Sequence, residues 1–248
     1  MGLPQIAIPE YTLNLPSNGE ELRYRPFLVK EEKLLLLAME SEDEQQILRA
    51  TKRVIQSCVF GNIDVDNMPT FDFEYVFLWL RAKAKGEEIE LKYKCPKCES
   101  PIDVLINVED IKMTRHKEHK EKIEITDELG IVLKYPNLSL QFKIDNLKEE
   151  TQVEKLFKTV LWCIDYIYDK QNIYASKDHT EKEMEQFLES LTDGQFKGLT
   201  KFFETMPKLE HKVKLECKNK IKEKGKKTSK VCGYNEDVTL EGIQSFFD

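Results

Sequence analysis

L-K-Y-K-C-P-K-C-E-S-P-I-D-V-L-I, residues 91–106, places an alternating strand, a turn holding Cys95 and Cys98, and a second alternating strand in a row. More than a hundred residues later the pattern returns. V-K-L-E-C runs from 213 to 217 and V-C-G-Y-N-E-D-V-T-L from 231 to 240, with Cys217 and Cys232 at the turn. Alternation of period two gives a strand one face for a core. Two hairpins that each offer two sulfurs from their turn are the parts of a zinc ribbon. The pattern predicts a structural zinc site with Cys95, Cys98, Cys217 and Cys232 as ligands. It also predicts a ribbon-like subdomain built from about 87–108 and 211–240.

Two other readings of the cysteines stand beside this one. The turn could belong to a ribbon that has lost its metal. C-P-K-C could also serve thiol redox chemistry, but such a motif should open a helix, whose dipole lowers the thiol pKa. Here strands flank it. The second pair is also widely spaced. Lys218–Lys230 separates its cysteines, and seven of those thirteen residues are lysine. The stretch reads as an insertion into a C-x-x-C turn, looped into solvent, at small cost in closure entropy.

Composition bounds the rest. The 248 residues are 40% hydrophobic and 33% charged, with a net charge of −7. That balance suits a soluble globular protein and speaks against a general nucleic-acid binder. No apolar run is long enough to span a bilayer. The first ten residues lack the features of a secretory signal, so the expected setting is a reducing cytoplasm.

Outward from the ribbon, the chain reads as one α+β unit over 1–248. A mainly helical body with short strands accompanies the hairpins, and 147–206 forms a helical excursion between them. Residues 11–27 predict a hairpin turning at Ser17–Glu20. Helices are expected from Lys30 to Met39, from about Glu42, and after Thr70. Residues 112–122 read as an exposed charged connection. Strands are expected at Ile123–Ile125, Ile131–Leu133 and Leu138–Phe142. A long helix is expected over 147–168, with Val153, Leu156, Val160, Ile164 and Ile167 as its apolar stripe. Thr180 and Glu183 form a capping-box pair, and a last helix stops at Pro207.

The remaining candidate residues read as structural. Cys58 and Cys163 sit on apolar helix faces, as small buried hydrophobes do. His116 and His119 lack a third ligand, His211 is a distant substitute ligand, and His179 marks a helix entry. Asp64–Asn67 does not make a calcium loop, because Pro69 stands where glycine is needed. No phosphate loop, nucleophile elbow or dinucleotide fingerprint is present.

Four stretches together resemble a known family. They are L-P-S-N-G-E-E-L-R-Y-R-P-F-L-V-K-E-E-K-L-L-L-L-A at 15–38, C-P-K-C at 95–98, F-F-E-T-M-P-K-L-E-H-K-V at 202–213, and C-G-Y-N-E-D-V-T-L-E-G-I-Q-S-F-F at 232–247. The chain is similar to the baseplate proteins of T-even-type contractile-tailed phages, the hub subunit or hub-assembly protein. The resemblance implies a non-enzymatic protein that presents surfaces to other hub and tail proteins. It implies no small-molecule substrate, no nucleic acid and no membrane. It further implies a place in the host cytoplasm during assembly and in the tail baseplate. Arg25 to Leu37 and Ile243–Phe247 are the expected contact surfaces. The alternative is a zinc-ribbon regulatory or nucleic-acid-binding protein. Against it, Glu87, Glu88, Glu90, Asp103, Glu236 and Asp237 give the hairpins an acidic cast that would repel phosphate.

Overall fold

A computed structural model describes residues 4, 6–147, 150–222 and 229–242. The chain opens with a hairpin, β1 (Tyr11–Asn14) and β2 (Glu21–Tyr24), then α1 (Val29–Met39), α2 (Glu44–Cys58) and α3 (Thr70–Lys85). The hairpin β3 (Glu88–Lys94) and β4 (Pro101–Asn107) precedes the short strands β5 (Lys112–Thr114), β6 (Lys122–Glu124) and β7 (Gly130–Leu133). Helices α4 (Leu138–Asp145) and α5 (Gln152–Cys163) lead into β8 (Ile164–Tyr168) and β9 (Ile173–Ala175). After α6 (Glu181–Glu189) and α7 (Asp193–Thr205), the chain ends on β10 (Lys208–Glu216), β11 (Lys220–Lys222), β12 (Ser229–Val231) and β13 (Asn235–Glu241).

The class is α+β, but the body is not mainly helical: helices, short 3-10 turns included, take 39% of the described residues and strands 28%. The sequence reading treats 1–248 as a single body. The contacts divide it into two compact units, and each is described separately. One takes Met1–Ile63, Glu74–Thr114 and Lys208–Asp248; the other takes Asp64–Phe73 and Arg115–Pro207.

In the first unit, both ribbon hairpins form where the alternation placed them. β3 pairs antiparallel with β4 from Glu88↔Asn107 to Lys94↔Pro101. β10 pairs with β13 from Glu210↔Glu241 to Glu216↔Asn235. Ile89, Leu91, Ile102 and Ile106 from one hairpin share a buried cluster with Val213, Leu215 and Leu240 from the other. Leu78 and Ala82 of α3 complete that cluster. β5 adds to the far edge of β10, with Leu209 opposite Met113. The expected exposed connection therefore begins as a strand, because Met113 packs on the same cluster.

The N-terminal part of this unit follows its signals closely. Asn18 makes the turn of β1–β2 by accepting a hydrogen bond from the Glu20 N–H at 2.9 Å. Asp43 caps α2 by accepting from the Gln45 N–H at 2.9 Å. Val54, Ile55 and Cys58 then lie fully buried along the apolar face of α2.

In the second unit, β6-β7-β8-β9 form one antiparallel sheet. Ile131, Leu133, Ile164 and Ile167 of this sheet pack with Val160, Met184, Leu188, Leu199 and Phe202 from the helices. Capping boxes start three helices, at Thr151–Glu154, Thr180–Glu183 and Thr192–Gln195.

Two expectations fail here. Leu138–Phe142 is helix, not strand, because the Asn137 side chain caps the segment by accepting from the Leu140 N–H at 2.8 Å. The long helix is shorter at its C-terminal end and its stripe is different. It ends at Cys163, and Ile164 turns extended (φ −67°, ψ 120°) to begin β8. Val153 and Leu156 are 66% and 42% exposed, so the buried face begins at Val160. Its expected start at 147 runs through residues 148–149, outside the described residues.

Candidate metal centre

The turn between β3 and β4 is set by backbone bonds. The Cys95 N–H donates to the Ser100 carbonyl at 2.9 Å, and the Glu99 N–H donates to the Cys95 carbonyl at 2.8 Å. Glu99 takes a left-handed conformation, φ +59°. That conformation turns the chain back within a few residues.

The turn between β10 and β13 repeats each of these features across the inserted residues. The Cys217 N–H donates to the Tyr234 carbonyl at 2.9 Å, and the Gly233 N–H to the Cys217 carbonyl at 3.3 Å. Gly233 has φ +65°, matching Glu99. Cys217 thus corresponds to Cys95, Cys232 to Cys98, and Tyr234 to Ser100. The inserted stretch leaves this turn as a hairpin of its own, β11 paired with β12 from Lys220↔Val231 to Lys222↔Ser229. The Cys232 N–H donates to the Asn219 carbonyl at 2.7 Å and closes the base of that hairpin. The stretch is therefore not simply looped out: it has a strand ladder, and Ile221 packs on the core cluster. Residues 223–228 at its tip lie outside the described residues.

The two turns bring four sulfurs together. Sγ of Cys95 lies 3.8 Å from Sγ of Cys232, and Sγ of Cys98 lies 3.5 Å from Sγ of Cys217. All four lie within 4.8 Å of one another. Four sulfurs each about 2.3 Å from one central ion stand about 3.8 Å apart at tetrahedral angles. The observed set has that size and needs only small adjustment. A disulfide would need about 2.05 Å, and all four cysteines are free.

As free thiols the sulfurs differ: burial pushes Cys232 up, and, against the Asn219 N–H, burial with the neighbouring sulfurs pushes Cys217 up to about 12, whereas Cys98 moves the other way. The Ser100 backbone N–H, with its hydroxyl, holds the Cys98 thiol down to about 6. Asn219 ties the turns together by donating to the Ser100 hydroxyl at 2.5 Å. Lys97 crosses between them, donating to the Cys232 carbonyl at 2.8 Å. Sequence reasoning missed both partners. The signal was their position inside the cysteine turns, where a polar side chain reaches the opposite turn. Cys95, Cys217 and Cys232 are buried and Cys98 is half-buried, so the cluster closes over its own centre.

Among the described residues the ligand group contains none of the other candidates. Burial pushes the Cys58 thiol up to about 11 and Cys163 up to about 12, in keeping with inert core residues. His211 Nδ1 faces the Asp110 carbonyl at 3.3 Å. His119, expected in a solvated loop with His116, is half-buried. Its ring nitrogens sit 3.0 Å from the Thr205 and Tyr135 hydroxyls. His179 precedes the Thr180 cap of α6, as expected of an entry residue.

A family model described as T4 bacteriophage base plate protein matches residues 8–248. No curated protein and no solved structure matches the chain.

Proposed function

Because this chain belongs to the T4 bacteriophage base plate protein family, we propose that it serves at the hub of a phage tail baseplate, as a structural or assembly protein without catalytic activity. It acts through contacts with other hub and tail proteins. A zinc ion held by Cys95, Cys98, Cys217 and Cys232 braces the fold. The family match along nearly the whole chain carries the baseplate role, and the sulfur spacing carries the metal.

Four thiolates would fill a tetrahedral zinc, which makes the site structural. Apparent zinc free energies in small zinc modules are about 10–16 kcal/mol. A tie of that size outweighs any single hairpin and joins residues 95–98 to 217–232. Among the described residues no helix is long and apolar enough to cross a membrane. The reading places the protein in the host cytoplasm during assembly and in the tail thereafter.

The test of the role is a phage lacking this protein. Tail components should accumulate without assembling, and hub intermediates purified from wild-type infections should contain the protein. Infectious tails formed in its absence would overturn the reading. Elemental analysis tests the brace, with one zinc per chain expected and Cys95→Ser expected to lose it.

A further inference from the structure

Phe77, Arg81 and Lys85 lie one turn apart along α3 and present one face. Together with Phe27 and with Glu32, Leu35, Leu36 and Met39 of α1 they line a cleft of about 80 Å³. Arg81 is only 9% exposed, yet its Nη1 is buried with no hydrogen-bond acceptor among the described residues. No carboxylate of those residues is paired with it. Burial without a counter-charge lowers its pKa. Glu32 is engaged elsewhere, with Lys85 at 2.9 Å on the rim.

A guanidinium keeps its charge when buried, so an unmatched one is costly to the fold. Elsewhere this unit supplies such a group with partners: Arg25 donates to Glu31, the Pro26 carbonyl and the Ser57 carbonyl. The walls of the Arg81 cleft are mostly apolar. Water there would find few partners beyond Arg81, whereas a carboxylate would meet Arg81 with a charge-assisted bond. The cleft offers about the space of two to three waters, suited to the tip of an acidic side chain. Exposed apolar side chains of α1 stand on the same face beside the cleft: Leu36 is 49% exposed and Val29, two turns earlier, 80%.

We propose that this cleft is a socket for the carboxylate of an aspartate or glutamate carried on an otherwise apolar segment of another tail protein. The proposal rests on the baseplate role and names the chemistry of one contact within it. The apolar face of α1 takes the segment's flanking side chains, and Arg81 selects the acid.

The probe is acetyl-Leu-Asp-Leu-amide, with acetyl-Leu-Asn-Leu-amide as its uncharged counterpart. Binding to the full chain is read from the ¹⁵N-labelled Arg81 Nε–H signal. The acidic probe should shift that signal, and the amide probe should bind at least about tenfold more weakly. Arg81→Met should fold with unchanged or higher Tm, and the acidic probe should no longer shift the backbone amide signals of α1 and α3 that it shifts in the native chain. Leu36→Glu, at the exposed mouth, provides a second variant and should repel the acidic probe. Equal responses to both probes, or none, would overturn the proposal. If only a chain shortened after Gly242 responds, the terminal residues of this protein compete for the socket, and the partner assignment fails. In infected cells, Arg81→Met should give stable protein and defective tails. Normal tails from Arg81→Met, with none from a phage lacking the protein, would sink the socket and leave the baseplate role standing.

Discussion

Glu31 shows how one side chain can replace a missing signal. Helix α1 begins after Leu28, whose side chain has no oxygen to cap it. Glu31 compensates by accepting from the Leu28 N–H at 2.8 Å, while its other oxygen meets Arg25 at 2.9 Å. Burial alone would raise its pKa; the Arg25 guanidinium and the Leu28 N–H outweigh that and bring it below the ordinary 4.5. The sign follows. A depressed folded pKa gives stability that is present above the unfolded value and lost as pH falls through the folded one. Glu31→Gln should therefore lower stability at pH 7 by roughly 3 kcal/mol, since it strands a largely buried Arg25. The gap between wild type and variant should narrow as pH drops below about 4.5. Paired Tm measurements from pH 7 to pH 3 check this, and a gap independent of pH would show that the charge of Glu31 is not what matters.

At the scale of elements, the sequence was most legible where chemistry was local. The cysteine turns, the Asn18 turn and the Thr180–Glu183 box each state their conformation within a few residues. It was least legible where two periods fit one run. Val160, Ile164 and Ile167 suit a helical stripe, yet I-D-Y-I-Y at 164–168 also has the β-branched and aromatic content of a strand. Pairing with β7 decides the case, and that partner is 30 residues away or more. L-S-L-Q-F at 138–142 alternates like a strand, but Asn137 caps it as a helix. The four sulfurs were readable as candidates, whereas Arg81 carried no sequence signal, because lack of a partner is a property of the folded chain. The matched turns supply an element-scale prediction. The Cys232 N–H already bonds the Asn219 carbonyl at 2.7 Å, so the chain ends that flank the inserted hairpin nearly meet. Joining Asn219 directly to Cys232, with 220–231 removed, recreates a C-x-x-C turn. That shortened protein should fold and keep one zinc. Its stability should drop by no more than about 1–2 kcal/mol, because Ile221 is the packed side chain lost. Loss of zinc from a folded shortened protein would show that the hairpin positions the cysteines.

At the scale of the molecule, the four candidate ligands belong to one core and not the other. Cys95, Cys217 and Cys232 belong to the buried cluster that also holds Ile89, Leu91, Ile106, Val213 and Leu240. The cluster around Ile131, Ile164, Leu199 and Phe202 contains none of the four candidate ligands. A whole domain is stable by only about 5–15 kcal/mol, comparable to the free energy of a structural zinc. Stripping the metal should therefore open the ribbon, not merely soften it. The open site would also leave its thiols exposed to oxidation. The second sheet draws its stability from its own apolar contacts and its three capped helices. Hydrogen exchange followed by mass spectrometry, with and without a strong zinc chelator, separates the two. Protection should collapse together over β3, β4, β10 and β13, and stay close to its starting level over β7, β8 and α7. Equal loss across both sets would mean that the two units unfold as one cooperative body. No loss in either would mean that packing alone holds the hairpins, and the four sulfurs would then be a ribbon that no longer depends on its metal.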